Sequence, residues 1–108
     1  MGPSFTVRCL FRWDKDLPPG VFLYEERLTL WQAPTIDEAL LLAESEASRY
    51  ASENSVEFLG FSQAYAMPEP VDGSSVEVFS LLRQSELPPK PYIERHFNTG
   101  REHETHGA

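Results

Sequence analysis

Thiol chemistry is scarce in this chain, whose 108 residues include a single cysteine, Cys9. One cysteine excludes an intrachain disulfide framework and any all-cysteine metal site. The expected compartment is therefore the reducing cytoplasm. Basic residues are also few, nine against 17 acids, which leaves a net charge of −8. Nucleic acid and anionic membranes are bound through basic patches that displace counterions, so neither is expected as a partner. No apolar run approaches the ~18 residues of a membrane helix. The N-terminus enters an alternating segment with no signal-peptide core. Gly2 and Thr6 fit the myristoylation pattern formally, but Pro3 beside the glycine argues against acylation. Phosphate-binding glycine loops, nucleophile elbows and paired metal-ligand motifs are missing too. No catalytic residue, cofactor or metal is therefore expected.

What the chain does contain is enough apolar material, 41% of residues, to bury a core within one domain of ordinary size. Residues 1–100 are expected to form a single α+β domain, and 101–108 a disordered polar tail. In residues 5–13, Phe5, Val7, Cys9, Phe11 and Trp13 alternate with Thr6, Arg8, Leu10 and Arg12, the period of a half-buried strand. Pro18-Pro19-Gly20 then marks a turn. A second strand, about 21–31, carries Phe22, Tyr24, Leu28 and Leu30 on its even face with Glu26 set among them, and Glu25, Arg27 and Thr29 on its odd face.

Residues 35–51 predict a helix. Thr35 and Glu38 make a capping box, and Ile36, Ala39, Leu40, Ala43, Ala47, Tyr50 and Ala51 recur at spacings of three and four. Residues 56–67 read as a third strand, in which Gln63 interrupts Leu59, Phe61, Tyr65 and Met67 and Gly60 suggests a bulge. Residues 75–84 predict a fourth strand, apolar on both faces, a pattern usual for a central or doubly covered strand. A short proline-started helix follows, with Tyr92, Ile93, His96 and Phe97 on one side. The order is β-β-α-β-β-α.

Four segments, Tyr24-Glu25-Glu26-Arg27, Thr35-Ile36-Asp37-Glu38-Ala39, Gly60-Phe61-Ser62-Gln63-Ala64-Tyr65 and Glu77-Val78-Phe79-Ser80, resemble a bacterial family of uncharacterised proteins, domain-of-unknown-function family 4288. The resemblance spans roughly residues 5–98. It implies a compact stand-alone domain and brings no activity, substrate or cofactor.

Among candidate residues, Glu26 stands out, because an ionised carboxylate on an apolar face is costly without a partner. Were strands two and three neighbours, Tyr24, Glu26, Gln63 and Tyr65 would form one polar cluster able to bind a ligand or to hold a general acid or base. The competing reading is that a bulge turns Glu25 and Glu26 into solvent, or that an arginine satisfies Glu26. Cys9, among Val7 and Phe11, reads as a packed small hydrophobe. The tail cluster Glu102, His103, Glu104 and His106 resembles a metal site in composition, but the cost of ordering a tail opposes function there.

Acids gather at 37–57, and Asp37 and Glu44 are candidate contacts for a basic protein. The architecture expected is a four-stranded, largely antiparallel sheet, with the long helix on one face and the short helix against an edge or end. One long helix cannot cover both faces, so a homodimer through the second face or an edge is expected. Two functions follow: a non-enzymatic interaction module of antitoxin or immunity type that meets a basic partner, or a small-ligand binder or enzyme with a polar pocket at Glu26.

Overall fold

A computed structural model describes residues 2–13 and 16–97, with the backbone of 103–105. Four long strands and two helices follow in the expected β-β-α-β-β-α order: β1 (Ser4–Trp13), β2 (Phe22–Gln32), α1 (Ile36–Asn54), β3 (Glu57–Ala66), β4 (Val76–Ser85) and α2 (Pro89–Phe97). The α+β antiparallel sheet of the sequence reading is the sheet observed, with strand order β4-β2-β1-β3. A three-residue strand, β5 (His103–Thr105), pairs with β3. It falls within the segment expected to be a polar tail. The remainder of that segment, and the side chains of the Glu102–His106 cluster, lie outside the described residues.

The alternation of β1 decides how the core is divided. Phe5, Val7, Cys9 and Phe11 face α1 and pack against Ala39, Leu40, Ala43, Ala47 and Ala51. Small alanines on that helix face let helix and sheet approach closely. The Thr35 hydroxyl caps the helix by accepting the Glu38 N–H at 3.2 Å. Ser55, in the left-handed region at φ 55°, ends it by donating its N–H back to the last turn.

The opposite face carries a second, smaller core of Leu10, Tyr24, Phe61, Tyr92 and Phe97. The short helix α2 supplies two of these residues, so it lies on the second sheet face and not against an edge or end as expected. Aromatic stacking explains the choice. The Tyr24 and Tyr92 rings stack with centroids 3.9 Å apart, and Phe61 meets Phe97 at 5.3 Å. A sheet edge offers no such apolar platform.

Gly60 sits at φ 74°, where the β1–β3 register slips between Cys9 and Phe11. The bulge that this glycine marked in the sequence is present, and beyond it Phe58 pairs with Phe11. One condition posed by the sequence fails and one expectation about strand order is corrected. β2 and β3 are not neighbours, because β1 lies between them. β4 is neither central nor doubly covered but occupies an edge, with Val76, Val78, Phe79, Leu81 and Leu82 between 38% and 52% exposed.

Candidate functional site

The central hairpin sets charged side chains on both faces of β2, and each face resolves them differently. On the α2 face, Glu26 is buried. It is not turned out by a bulge: Glu26 pairs in register with Leu10 of β1 and Leu81 of β4. Arg8 and Arg83 approach its two oxygens at 3.4 and 3.3 Å. Of the alternatives weighed for this residue, satisfaction by arginine is the one found, and it takes two arginines.

Arg8 is the hub that the sequence reading missed. It stands on β1 directly across from Leu28 and Gln63, which places it between Glu26 and the residues of β3. Its guanidinium donates to Gln63 Oε1 and, at 2.9 Å, to the Tyr65 hydroxyl, and it lies 4.4 Å from the centre of the Phe97 ring. Gln63 in turn donates to the Phe97 carbonyl at 2.6 Å, and Tyr65 donates to Gln63 Oε1 at 3.1 Å. Glu26, Gln63 and Tyr65 thus do form one network, but through an intervening strand.

Tyr24 stands apart from that network. Its hydroxyl donates to the Leu87 carbonyl at 2.6 Å, and it connects to the cluster through Tyr92, which accepts from Arg83 at 3.2 Å. Burial pushes the Tyr24 hydroxyl up to about 12. Burial also raises Tyr92, so both phenols stay neutral near neutral pH.

Under α1 lies a second polar cluster that the sequence did not announce. Glu25 accepts from Trp13 Nε1 at 2.9 Å, from the Tyr50 hydroxyl at 2.8 Å and from the Ser80 hydroxyl. Arg27 pairs with Glu46 and with Glu77, each at 2.6 Å, and its guanidinium lies 3.9 Å from the Tyr50 ring centre. Burial acts to lower the Arg27 pKa, but the bonds to the two glutamates outweigh it and the net direction is up. Burial, then the bond to Glu25, holds Tyr50 well above the usual phenol range. These are the marks of a locked scaffold. Among the described residues no buried side-chain nitrogen or oxygen lacks a partner.

The two candidate contacts on α1 part company. Asp37 is exposed in the first turn. Glu44 turns toward the sheet and accepts from the Ser62 hydroxyl at 3.0 Å. With Glu46 held by Arg27, the acidic exterior of the helix is smaller than its composition implies. Cys9 is buried as expected, and burial, reinforced by Glu44 and Glu46, pushes its thiol up to about 12.

No family model, curated protein or solved structure matches the chain. Inference about function therefore rests on its own geometry. Clefts open to solvent are bordered by described residues. One of about 540 Å³ at the hairpin end is lined by Arg12, Trp13, Phe22 and Glu57 among others, and its two charges pair with each other at 2.8 Å. One of about 380 Å³ is bordered by Arg83, Glu86, Arg95 and His96; Arg83 is already engaged by Glu26 there. Burial, followed by Arg83 and Arg95, lowers the His96 pKa.

No group of three or more metal-binding side chains is gathered among the described residues, and no helix there is long and apolar enough to cross a membrane. Among the described residues, β4 presents a long exposed edge. An edge strand has an outward row of backbone N–H and C=O groups, and this one adds five large, half-exposed apolar side chains. Natural edges are normally short or guarded by charge or proline. Between Val78 and Leu82 the β4 edge carries neither.

Proposed function

We propose that this protein is a non-enzymatic interaction module whose working surface is the β4 edge. The observation that carries the reading is a ten-residue edge strand with exposed apolar side chains on both faces. Strand addition to such an edge draws its affinity from main-chain hydrogen bonds and its specificity from alternate side chains. The internal clusters serve this role by holding β2 rigid, with Arg27 joining α1 to β4 through Glu46 and Glu77 and Glu25 gripping Ser80. The resemblance to domain-of-unknown-function family 4288 adds architecture to this reading and no activity.

A basic protein meeting Asp37 on the acidic helix ranks second, because Glu44 and Glu46 are occupied internally. The ligand-site reading at Glu26 ranks below both, since each carboxylate oxygen there already has an arginine. The test compares every association of the chain, with itself and with proteins of its source cells, against the Phe79→Lys/Leu82→Lys variant at 0.1 and 0.5 M salt. Associations that survive salt and vanish in the variant support the edge. Binding abolished by salt and untouched by the variant would transfer the role to the acidic helix.

A further inference from the structure

The inference drawn here rests on that reading of β4 and names what the edge takes. We infer that β4 pairs antiparallel with β4 of a second copy of this chain, about a two-fold axis at Ser80.

Around Ser80 the residues are Glu77-Val78-Phe79 on one side and Leu81-Leu82-Arg83 on the other. Antiparallel pairing about Ser80 sets Phe79 against the partner's Leu81 and Val78 against the partner's Leu82, apolar facing apolar throughout. Sliding the register by two residues in either direction sets Leu81 against the partner's Glu77, or Phe79 against the partner's Arg83. Both slips strand a charge against an apolar side chain. A heterologous strand has no need of this near-mirror pattern, whereas a homotypic contact requires it, because a two-fold interface must be complementary to itself.

Side-chain direction agrees. Phe79 and Leu81 lie across from Leu28 and Glu26 of β2, on the α2 face, and Ser80 and Leu82 lie across from Arg27 and Glu25, on the α1 face. At the centre of the contact, Phe79 and Leu81, like Ser80 and its own symmetry mate, therefore fall on the same side of the joined sheet, as directly opposed residues must. The β2–β4 register slips beside Val78 and brings Glu77 opposite Thr29 on the α1 face, while Arg83 is on the α2 face. The ends of the paired segment thus avoid like charges without forming a new ion pair.

A contact of seven residues per strand sits at the small end of specific interfaces, so a dissociation constant on the order of micromolar is expected. Two chains of net charge −8 repel each other. Raising salt screens that repulsion and is expected to tighten the dimer, opposite in sign to capture of a basic protein.

The test is sedimentation velocity from 1 to 300 µM on the full chain, with mild-oxidation crosslinking of two cysteine variants. The expected result is a species of twice 12.3 kDa whose population grows with concentration and with salt. Phe79→Lys/Leu82→Lys, at half-exposed positions, should keep the native circular dichroism and raise the dissociation constant by about 30-fold or more. Ser80→Cys should crosslink across the axis, where opposed Cα atoms fall within disulfide reach, and Val76→Cys should not. Cys9, buried within the core, leaves the background low.

A monomer at every concentration overturns the second copy. The docking edge itself then stands or falls on whether a different protein is lost in the lysine variant. A dimer indifferent to the lysines, or one in which Val76→Cys crosslinks faster than Ser80→Cys, overturns the inference by assigning another surface or register.

Discussion

Replacing Arg8 with methionine would keep most of the side chain's length and delete the guanidinium that serves Glu26, Gln63 and Tyr65. The Arg8 and Glu26 side chains are 20% and 11% exposed, so this pair is shielded from solvent and does not behave as a surface ion pair. Removing one partner of a buried pair costs ~3–5 kcal/mol. Here Glu26 retains Arg83 and Gln63 retains its bond to the Phe97 carbonyl, which moves the expectation below that range, to about 2 kcal/mol. Loss of the cation–π contact with Phe97 adds back ~1 kcal/mol. The sum is about 3 kcal/mol, against a total stability of roughly 5–15 kcal/mol for a domain.

Urea unfolding followed by circular dichroism reads this directly. With an m-value of roughly 1.5 kcal/mol/M, the midpoint should fall by about 2 M. The measurement belongs in the Phe79→Lys/Leu82→Lys background, where the dimer is weakened, so that self-association contributes little. Arg83→Met supplies the internal comparison: its side chain is 38% exposed, and about 1 kcal/mol is expected. If Arg8→Met costs under ~1 kcal/mol, or no more than Arg83→Met, the network is solvent-screened and the argument that Arg8 fixes β3 and α2 to the central hairpin fails.

Three further outcomes are expected. Cys9 has a folded pKa raised from 9.0 to about 12, so its contribution is fully present below pH 9 and is lost as pH rises toward 12. Between pH 9 and 10 the native chain should lose up to ~1.4 kcal/mol more than Cys9→Ala, as read from the difference in urea midpoints, and equal slopes would contradict burial of the thiol. Thr35→Ala removes the acceptor for the Glu38 N–H and should lower stability by ~1 kcal/mol; an unchanged melting curve would count against the cap. Gly60→Ala places a Cβ at φ 74° and should cost ~1–2 kcal/mol, measured in the same way, while a neutral effect would mean that the bulge relaxes freely.

How much of this was legible in the sequence depended on whether the signal was local. The α1 helix declared itself through Thr35, Glu38 and its apolar spacing, and β1 through the alternation of Phe5, Val7, Cys9 and Phe11, because both patterns reflect which side of an element meets the core. Gly60 marked its bulge for the same reason. Strand order is non-local, and no residue of β2 or β3 states that β1 lies between them. Glu26, Gln63 and Tyr65 were therefore recognised while the arginine joining them was not, although Arg8 shares a face with Leu10 by simple alternation. Glu25 and Arg27 were placed on the odd face of β2, but their partners were not legible, because Tyr50 and Glu46 reach them from α1, an element distant in sequence. β4 misled in the most informative way. Apolar residues on both faces ordinarily signal a central strand, and here they sit on an edge, which is the reason a partner strand is inferred.

The mass of the species in solution tests that inference most directly. Sedimentation across 1–300 µM, repeated at 0.05 and 0.5 M salt, should reveal a dimer that strengthens with both concentration and salt and disappears in Phe79→Lys/Leu82→Lys. A chain that remains at 12.3 kDa throughout, or a dimer that the two lysines leave intact, would contradict self-pairing through β4.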